Sequence, residues 1–241
     1  MRRMSPSTNR LLLFGALLGW CGCLLLARVV RSGSVSFVFL AWNLFLASIP
    51  ALAAAGFVRA ADRGSPALVQ AGWFALWLAF LPNAPYIVTD FMHLRPRPLV
   101  PLWYDIAILA SCAGTGLLLA YTSLADVQGV LARKFSQFAG WVLAAVVLVL
   151  SGFGIYLGRF LRWNSWDALS SPLELLADIA DRVANPLSHP QTIGVTIVYG
   201  FGLLLGYAAF RALSLPPITE FRAAPAPSSA CARPACRGER A

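Results

Sequence analysis

Six stretches of this chain, 11–27, 32–58, 64–89, 106–125, 137–158 and 189–210, contain no Lys, Arg, Asp or Glu. Each is near or above the roughly 18 apolar residues that carry a helix across a hydrocarbon core about 30 Å thick. Within them every backbone polar group must be satisfied internally, which leaves the α-helix as the spanning unit. Composition agrees: 59% of the residues are hydrophobic and only 12% charged, about half the charged share of an ordinary soluble domain. The expected fold is an all-α membrane protein of about six transmembrane helices, with spans near 11–30, 34–58, 66–82, 105–124, 137–158 and 191–211. Residues 1–10 form the amino terminus, 11–212 the membrane domain, and 213–241 a Pro-, Ala-, Ser- and Arg-rich tail without apolar periodicity, expected to be disordered.

Two spans need comment. Arg2, Arg3 and Arg10 ahead of the first apolar run also describe a signal peptide. That run is longer than a signal core, however, and Arg28 and Arg31 flank it as a helix end requires, so an uncleaved span is expected. The third span leaves about 16 residues between Pro66 and Pro82, on the order of 24 Å of helix. It is expected to be short, tilted or partly re-entrant, with Ser65 as its cap and Pro66 at the first helical position.

The net charge of +9 would suggest nucleic acid for a soluble chain, but in a six-span protein its distribution matters more. The amino terminus, the second and fourth loops and the tail hold twelve of the nineteen Lys and Arg; the opposite side holds seven. The positive-inside rule then places both termini in the cytoplasm. The expected partners are membrane lipids, with no nucleic acid; a protein partner stays open. Cys21, Cys23 and Cys112 lie in spans and Cys231 and Cys236 in the tail, which is no disulfide framework, and Cys21-Gly22-Cys23 has no companion ligands at metal spacing.

Two polar blocks interrupt this apolar pattern. The first, Leu81-Pro82-Asn83-Ala84-Pro85-Tyr86-Ile87-Val88-Thr89-Asp90-Phe91-Met92-His93-Leu94, ends the third span with two prolines that a regular helix interior rejects. It opens a proline-rich loop expected from Pro82 to Tyr104, closing on Trp103-Tyr104-Asp105 at the head of the fourth span. The second block, Gly152-Phe153-Gly154-Ile155-Tyr156-Leu157-Gly158-Arg159-Phe160-Leu161-Arg162-Trp163-Asn164-Ser165-Trp166-Asp167, ends the fifth span. Its glycines would let another helix or a lipid approach closely. Beyond it, Ser171-Pro172-Leu173-Glu174 has the spacing of a capping box. Leu173, Leu176, Ile179, Ala180 and Val183 then share one face, opposite Glu174, Asp178, Asp181 and Arg182, so a short interfacial amphipathic helix is expected, lying on the outer membrane surface or lidding the protein. Both polar loops face outward in this reading.

These two blocks and the Trp103-Tyr104-Asp105 triplet, in order and spacing over roughly 76–167, resemble the prokaryotic membrane-protein family called domain of unknown function 1361. Phe91-Met92 is an apolar variation within its motif. The resemblance implies a multi-pass protein of a prokaryotic plasma membrane, of unassigned activity, and supplies no catalytic residues.

The residues themselves suggest chemistry. Asp90, His93 and Asp105 are the catalytic candidates: Asp90 and His93 are three apart and share a face on any helical turn. With Asp105 they have the ligand types for a divalent metal ion, or for general acid and base. Asn83, Tyr86, Arg159, Arg162, Asn164 and Asp167 are the substrate-binding candidates, the two arginines suited to a phosphate or carboxylate. Against this stands a plain alternative, in which the aspartates and arginines neutralise one another and pin the loops, or the arginines snorkel to headgroups. No cofactor motif is present, whether nucleotide loop, nucleophile elbow, haem attachment or HExxH. Three functions therefore stay open. The first is binding or processing of an anionic lipid or lipid-linked substrate at the outer face. The second is a small transporter or channel, for which the spans offer mainly Asn43, Gln70, Ser111, Thr115 and Thr196. The third is an assembly or accessory subunit.

Overall fold

The computed structural model describes residues 6–163 and 167–214; the expected tail from 215 on, with Cys231 and Cys236, lies outside them, as does Asn164, while Leu213 still belongs to the last helix. The chain runs α1 (Pro6–Ser32), α2 (Phe39–Asp62), α3 (Ala67–Phe80), α4 (Asn83–Tyr86), a 3₁₀ helix (Ile87–His93), α5 (Leu102–Lys134), α6 (Gln137–Phe160), α7 (Asp167–Ser170), α8 (Pro172–Ala184), a 3₁₀ turn (Pro186–Ser188) and α9 (Pro190–Leu213). Six helical segments are long and apolar enough to span a membrane, and no strand occurs among the described residues. With six crossings, the connections that follow α1, the 3₁₀ helix and α6 share one face, and those that follow α2 and α5 the other.

The longest helix is the hub. α5 touches α1, α2, α6 and α9, and over half of its apolar window is buried, more than in any other span. Its buried Ile108, Leu109 and Cys112 belong to one core with Leu40, Leu44 and Ala47 of α2 and Leu148 and Ile155 of α6. Apolar burial gives helices little reason to associate when lipid is the alternative, so close approach and polar contacts decide the packing. At the crossing of α6 with α9, a Cβ on Gly152 would stand 2.7 Å from the Gly200 nitrogen and the Thr196 carbonyl oxygen. Nothing larger than glycine fits there.

Polar contacts fasten α1 to α5 along its length. Arg10 pairs with Asp126 (2.7 Å), Trp20 Nε1 donates to Ser111 Oγ (3.3 Å), and Cys21 Sγ lies 3.5 Å from Thr115 Oγ1. Tyr104 donates its hydroxyl to the Leu24 carbonyl (3.0 Å), and Arg28 reaches Asp105 (2.8 Å). Cys21, Cys23 and Cys112 are free thiols.

Several local expectations are corrected. α3 is indeed short, but its helical path does not stop at Pro82: it kinks there and continues through α4 and the 3₁₀ helix to His93. The open loop is therefore Leu94 to Pro101, not Pro82 to Tyr104. The prolines allow this because each stands in the first turn of a new helical segment, where a missing N–H has no acceptor to reach. Pro66, not Ser65, is the N-cap of α3, and Ser65 instead accepts at its carbonyl from Gln70 Nε2 (2.8 Å). α8 starts at Pro172 as expected, yet the Ser171 side chain makes no capping bond. The apolar face of α8 is open: Leu173, Leu176 and Val183 are all exposed, as an interfacial helix requires. At its far end, hydrogen bonds to Asn185 (3.0 Å) and His189 (2.9 Å) hold the Asp181 carboxyl below the usual carboxylate range.

Candidate functional site

The first polar block is held by glycines on two neighbouring helices. A Cβ on Gly116 of α5 would lie 2.5 Å from the Ala84 carbonyl oxygen, one on Gly154 of α6 2.9 Å from Pro82 Cβ, and one on Gly158 3.1 Å from the Tyr86 ring. The broken backbone thus sits sheltered in protein, as irregular structure at membrane depth must. From Ile87 the helix tightens to three residues per turn, so that residues three apart eclipse. Asp90 and His93 share one edge for that reason.

Arg159, next to Gly158, gathers this edge. Its Nε donates to Thr89 Oγ1 (2.9 Å), Nη2 donates to Asp90 Oδ1, and Nη1 lies 3.2 Å from His93 Nε2. The guanidinium carbon stands 4.5 Å from the Tyr86 ring centroid. Thr89 in turn donates to the Tyr86 carbonyl (2.7 Å), and Asn43 Nδ2 of α2 donates to Asp90 Oδ2 (2.9 Å). Asp90 is 1% exposed, and the Arg159 side chain 11%. Both carboxylate oxygens are therefore satisfied and the charge is neutralised in place. Because a guanidinium can only donate, His93 Nε2 must accept from it, which assigns the imidazole proton to Nδ1. The His93 ring rests edge-on against Phe39, centroids 5.3 Å apart.

Over this network lies a cavity of about 570 Å³. Its lining combines apolar and aromatic side chains, Phe39, Trp42, Leu46, Ala79, Pro82, Leu157 and Trp163, with the polar Asn43, Asn83, Tyr86, Asp90, His93 and Arg159. Leu175 of α8 closes one side, and Trp163 Nε1 ties α8 to the end of α6 by donating to Asp178 Oδ2 (2.8 Å). The volume falls in the range of small-molecule pockets, and a few polar groups converging in an apolar cleft are the usual arrangement of a binding site.

Of the nine expected residues, Asn83, Tyr86, Asp90, His93 and Arg159 line the cavity together. Asp105 stands apart. It is 1% exposed, bound by the equally buried Arg28 (2.8 Å) and by Arg97 (3.1 Å). The two guanidinium carbons lie 4.3 and 4.8 Å from the centroid of the Phe37 ring. The metal reading thus loses a ligand, and no cluster of three or more His, Cys, Asp or Glu is placed to hold an ion among the described residues. Arg162 is exposed, outside the cavity lining, with φ 64°, a left-handed turn that brings Trp163 N–H to the Leu157 carbonyl (3.1 Å). Asp167 opens α7 and accepts from Ser170 (3.3 Å).

Sequence reasoning passed over Arg28 as a mere flank and gave no role to Thr89. A charge one turn inside the end of an apolar helix, with Arg31 already at that end, and a hydroxyl beside a catalytic candidate are the available signs. The mid-span polar groups make separate local contacts among the described residues. Asn43 serves Asp90, Gln70 bonds to Ser65, Ser111 accepts from Trp20, Thr115 donates to Ser111 (2.8 Å), and the half-buried Thr196 keeps its hydroxyl oxygen buried at the α6 and α9 crossing.

No curated protein and no solved structure matches the chain. A family match covers residues 42–205, from α2 into α9, and so takes in the glycine-held block, the Arg159 network and all of the cavity lining except Phe39. By that match, over more than half of its length, the chain belongs to the family described as protein of unknown function, DUF1361.

Proposed function

We propose that the cavity over Asp90, His93 and Arg159 binds an anionic lipid or lipid-linked substrate. In this reading the site faces outward from a prokaryotic plasma membrane and both termini are cytoplasmic, as the bias of Lys and Arg toward the terminal face favours. The observation that carries the proposal is the pairing, in one cavity, of an aromatic and aliphatic wall with a buried network at the end of two spans. An amphiphile needs that combination: a chain to lie along Trp42, Leu46 and Leu157, and a head to reach Arg159.

The network also supports chemistry. Arg159 Nη1 is occupied only by His93 Nε2 in the described contacts, and a phosphate or carboxylate is the stronger acceptor for a guanidinium. An anionic head taking Nη1 would release His93 Nε2 beside it, free to accept a proton from the bound molecule. Asp90 would keep Arg159 in place through this exchange.

The test is the lipid carried by purified protein. Wild type should retain a tightly bound anionic amphiphile detectable by native mass spectrometry, and Ala79→Trp, which fills the cavity wall without touching the charged network, should reduce its occupancy about tenfold at unchanged thermal stability. The same bound species at the same occupancy in Ala79→Trp and Leu46→Trp would overturn the proposal.

A further inference from the structure

A second cavity, of about 560 Å³, opens where the end of α1 meets the start of α5. Arg28, Arg31, Val30, Val100, Pro101 and Tyr104 contribute to its wall. Its charge does not balance. Asp105 is the one carboxylate beside this wall among the described contacts, and it is shared by Arg28 and Arg97. Arg28 uses Nε (2.8 Å) and Nη2 (3.4 Å) for that carboxylate, while its Nη1 is buried with no acceptor among the described residues. Arg31, three residues on, is exposed and forms no ion pair among them. Two guanidiniums thus share a single acid, and a third lines the same cavity.

Such an excess is costly in a place shielded from water, because an unpartnered donor on a buried cation loses its hydration and gains nothing. The remedy is an external anion. Tetrahedral oxyanions suit arginine pairs, since each guanidinium offers parallel N–H donors. The rest of the wall is apolar, Val30, Val100 and Pro101, while the Tyr104 hydroxyl is already committed to Leu24. A small ion in water would leave that wall unused; a phosphate carried on glycerol and acyl chain would cover it.

We propose that this cavity binds a phosphate-class anion, carried by an anionic phospholipid, with the exposed Arg31 as its donor, the buried charge of Arg28 behind it, and Val30, Val100 and Pro101 against its apolar part. Arg97 and Asp105 hold Arg28 in position for it. The site is independent of the cavity over Asp90: the two share no lining residue.

Full-length protein in nanodiscs separates the sources. Discs of phosphatidylcholine containing a tenth of phosphatidylglycerol should show phosphatidylglycerol bound at this site by native mass spectrometry, with occupancy falling about tenfold in Arg31→Gln and in Val30→Trp, which fills the cavity. Arg31→Gln leaves the buried pair intact, so a failure to fold does not confuse the result. Ala79→Trp should leave this species unchanged while lowering the occupancy of the other. In a parallel arm, inorganic phosphate is titrated into phosphatidylcholine discs. Binding of phosphate alone, dependent on Arg31 and equal to the lipid arm, would support the anion chemistry and overturn the lipid source. Equal retention of phosphatidylglycerol in wild type, Arg31→Gln and Val30→Trp, or no preference over phosphatidylcholine, would overturn the proposal.

Discussion

Two glycines in α5, two residues apart, should respond to the same substitution in different ways. In Gly114→Ala the new methyl meets nothing within 4 Å, so only helix propensity changes and stability should rise by up to about 1 kcal/mol. In Gly116→Ala the same gain applies, but the methyl arrives 2.5 Å from the Ala84 carbonyl oxygen and 3.2 Å from Ile87 Cδ1. An ordinary carbon-to-oxygen contact is about 3.3–3.6 Å, so the block or the helix must yield by nearly 1 Å. The atom in the way is backbone, pinned from the other side by Gly154 and Gly158, and overpacking of this kind costs about 1–3 kcal/mol. The two variants should therefore separate by about 1–3 kcal/mol, with Gly116→Ala the less stable. Denaturant titration in mixed micelles, followed by tryptophan fluorescence, measures the difference. Because the displaced segment carries Tyr86 and Thr89, Gly116→Ala should also lower amphiphile occupancy at the Asp90 cavity. Equal shifts of the same sign in both variants would refute the claim that Gly116 makes room for the broken helix.

Asp105→Asn leaves Arg28, 1% exposed, as a buried cation without a counter-charge, and should destabilise the protein by about 3–5 kcal/mol. Arg97→Gln touches the same carboxylate from a side chain 29% exposed and should cost less than about 1 kcal/mol; comparable losses in the two would show that Asp105 is not an anchor for Arg28. Arg162→Gly removes a side chain from a left-handed position with φ 64°, whose strain is about 1 kcal/mol, so its unfolding midpoint should rise. No rise would mean that the Arg162 side chain makes contacts worth the strain.

What could be read from residue order was whatever depends on solvent preference. The six apolar runs became the six spans because a lipid-crossing helix is chosen by length and charge alone. The eclipsed Asp90 and His93 were legible for a related reason, since a spacing of three aligns side chains on any tight helical turn. The fate of the prolines was not. Whether Pro82 opens a loop or starts a new helical turn depends on what lies beside it, and the space that admits the turn is supplied by Gly116, 34 positions downstream. The separation of Asp105 from Asp90 was hidden in the same way. Both sit near span ends, but each is claimed by an arginine from a different helix, Arg28 of α1 and Arg159 of α6, and that choice is made by helix neighbourhood, which residue order does not display.

The contacts between α1 and α5 have a mechanical meaning. Five attachment points, from Arg10 with Asp126 at one end to Arg28 with Asp105 at the other, fix the sliding register of two antiparallel rods. A ratchet of one helical turn, about 5.4 Å, would break every one at once. That half of the molecule behaves as a stator. Any breathing that admits a bulky molecule to the Asp90 cavity falls to the parts with fewer attachments: α3, which packs chiefly on α2, and α8, with no fully buried residue and Leu175 at the cavity edge.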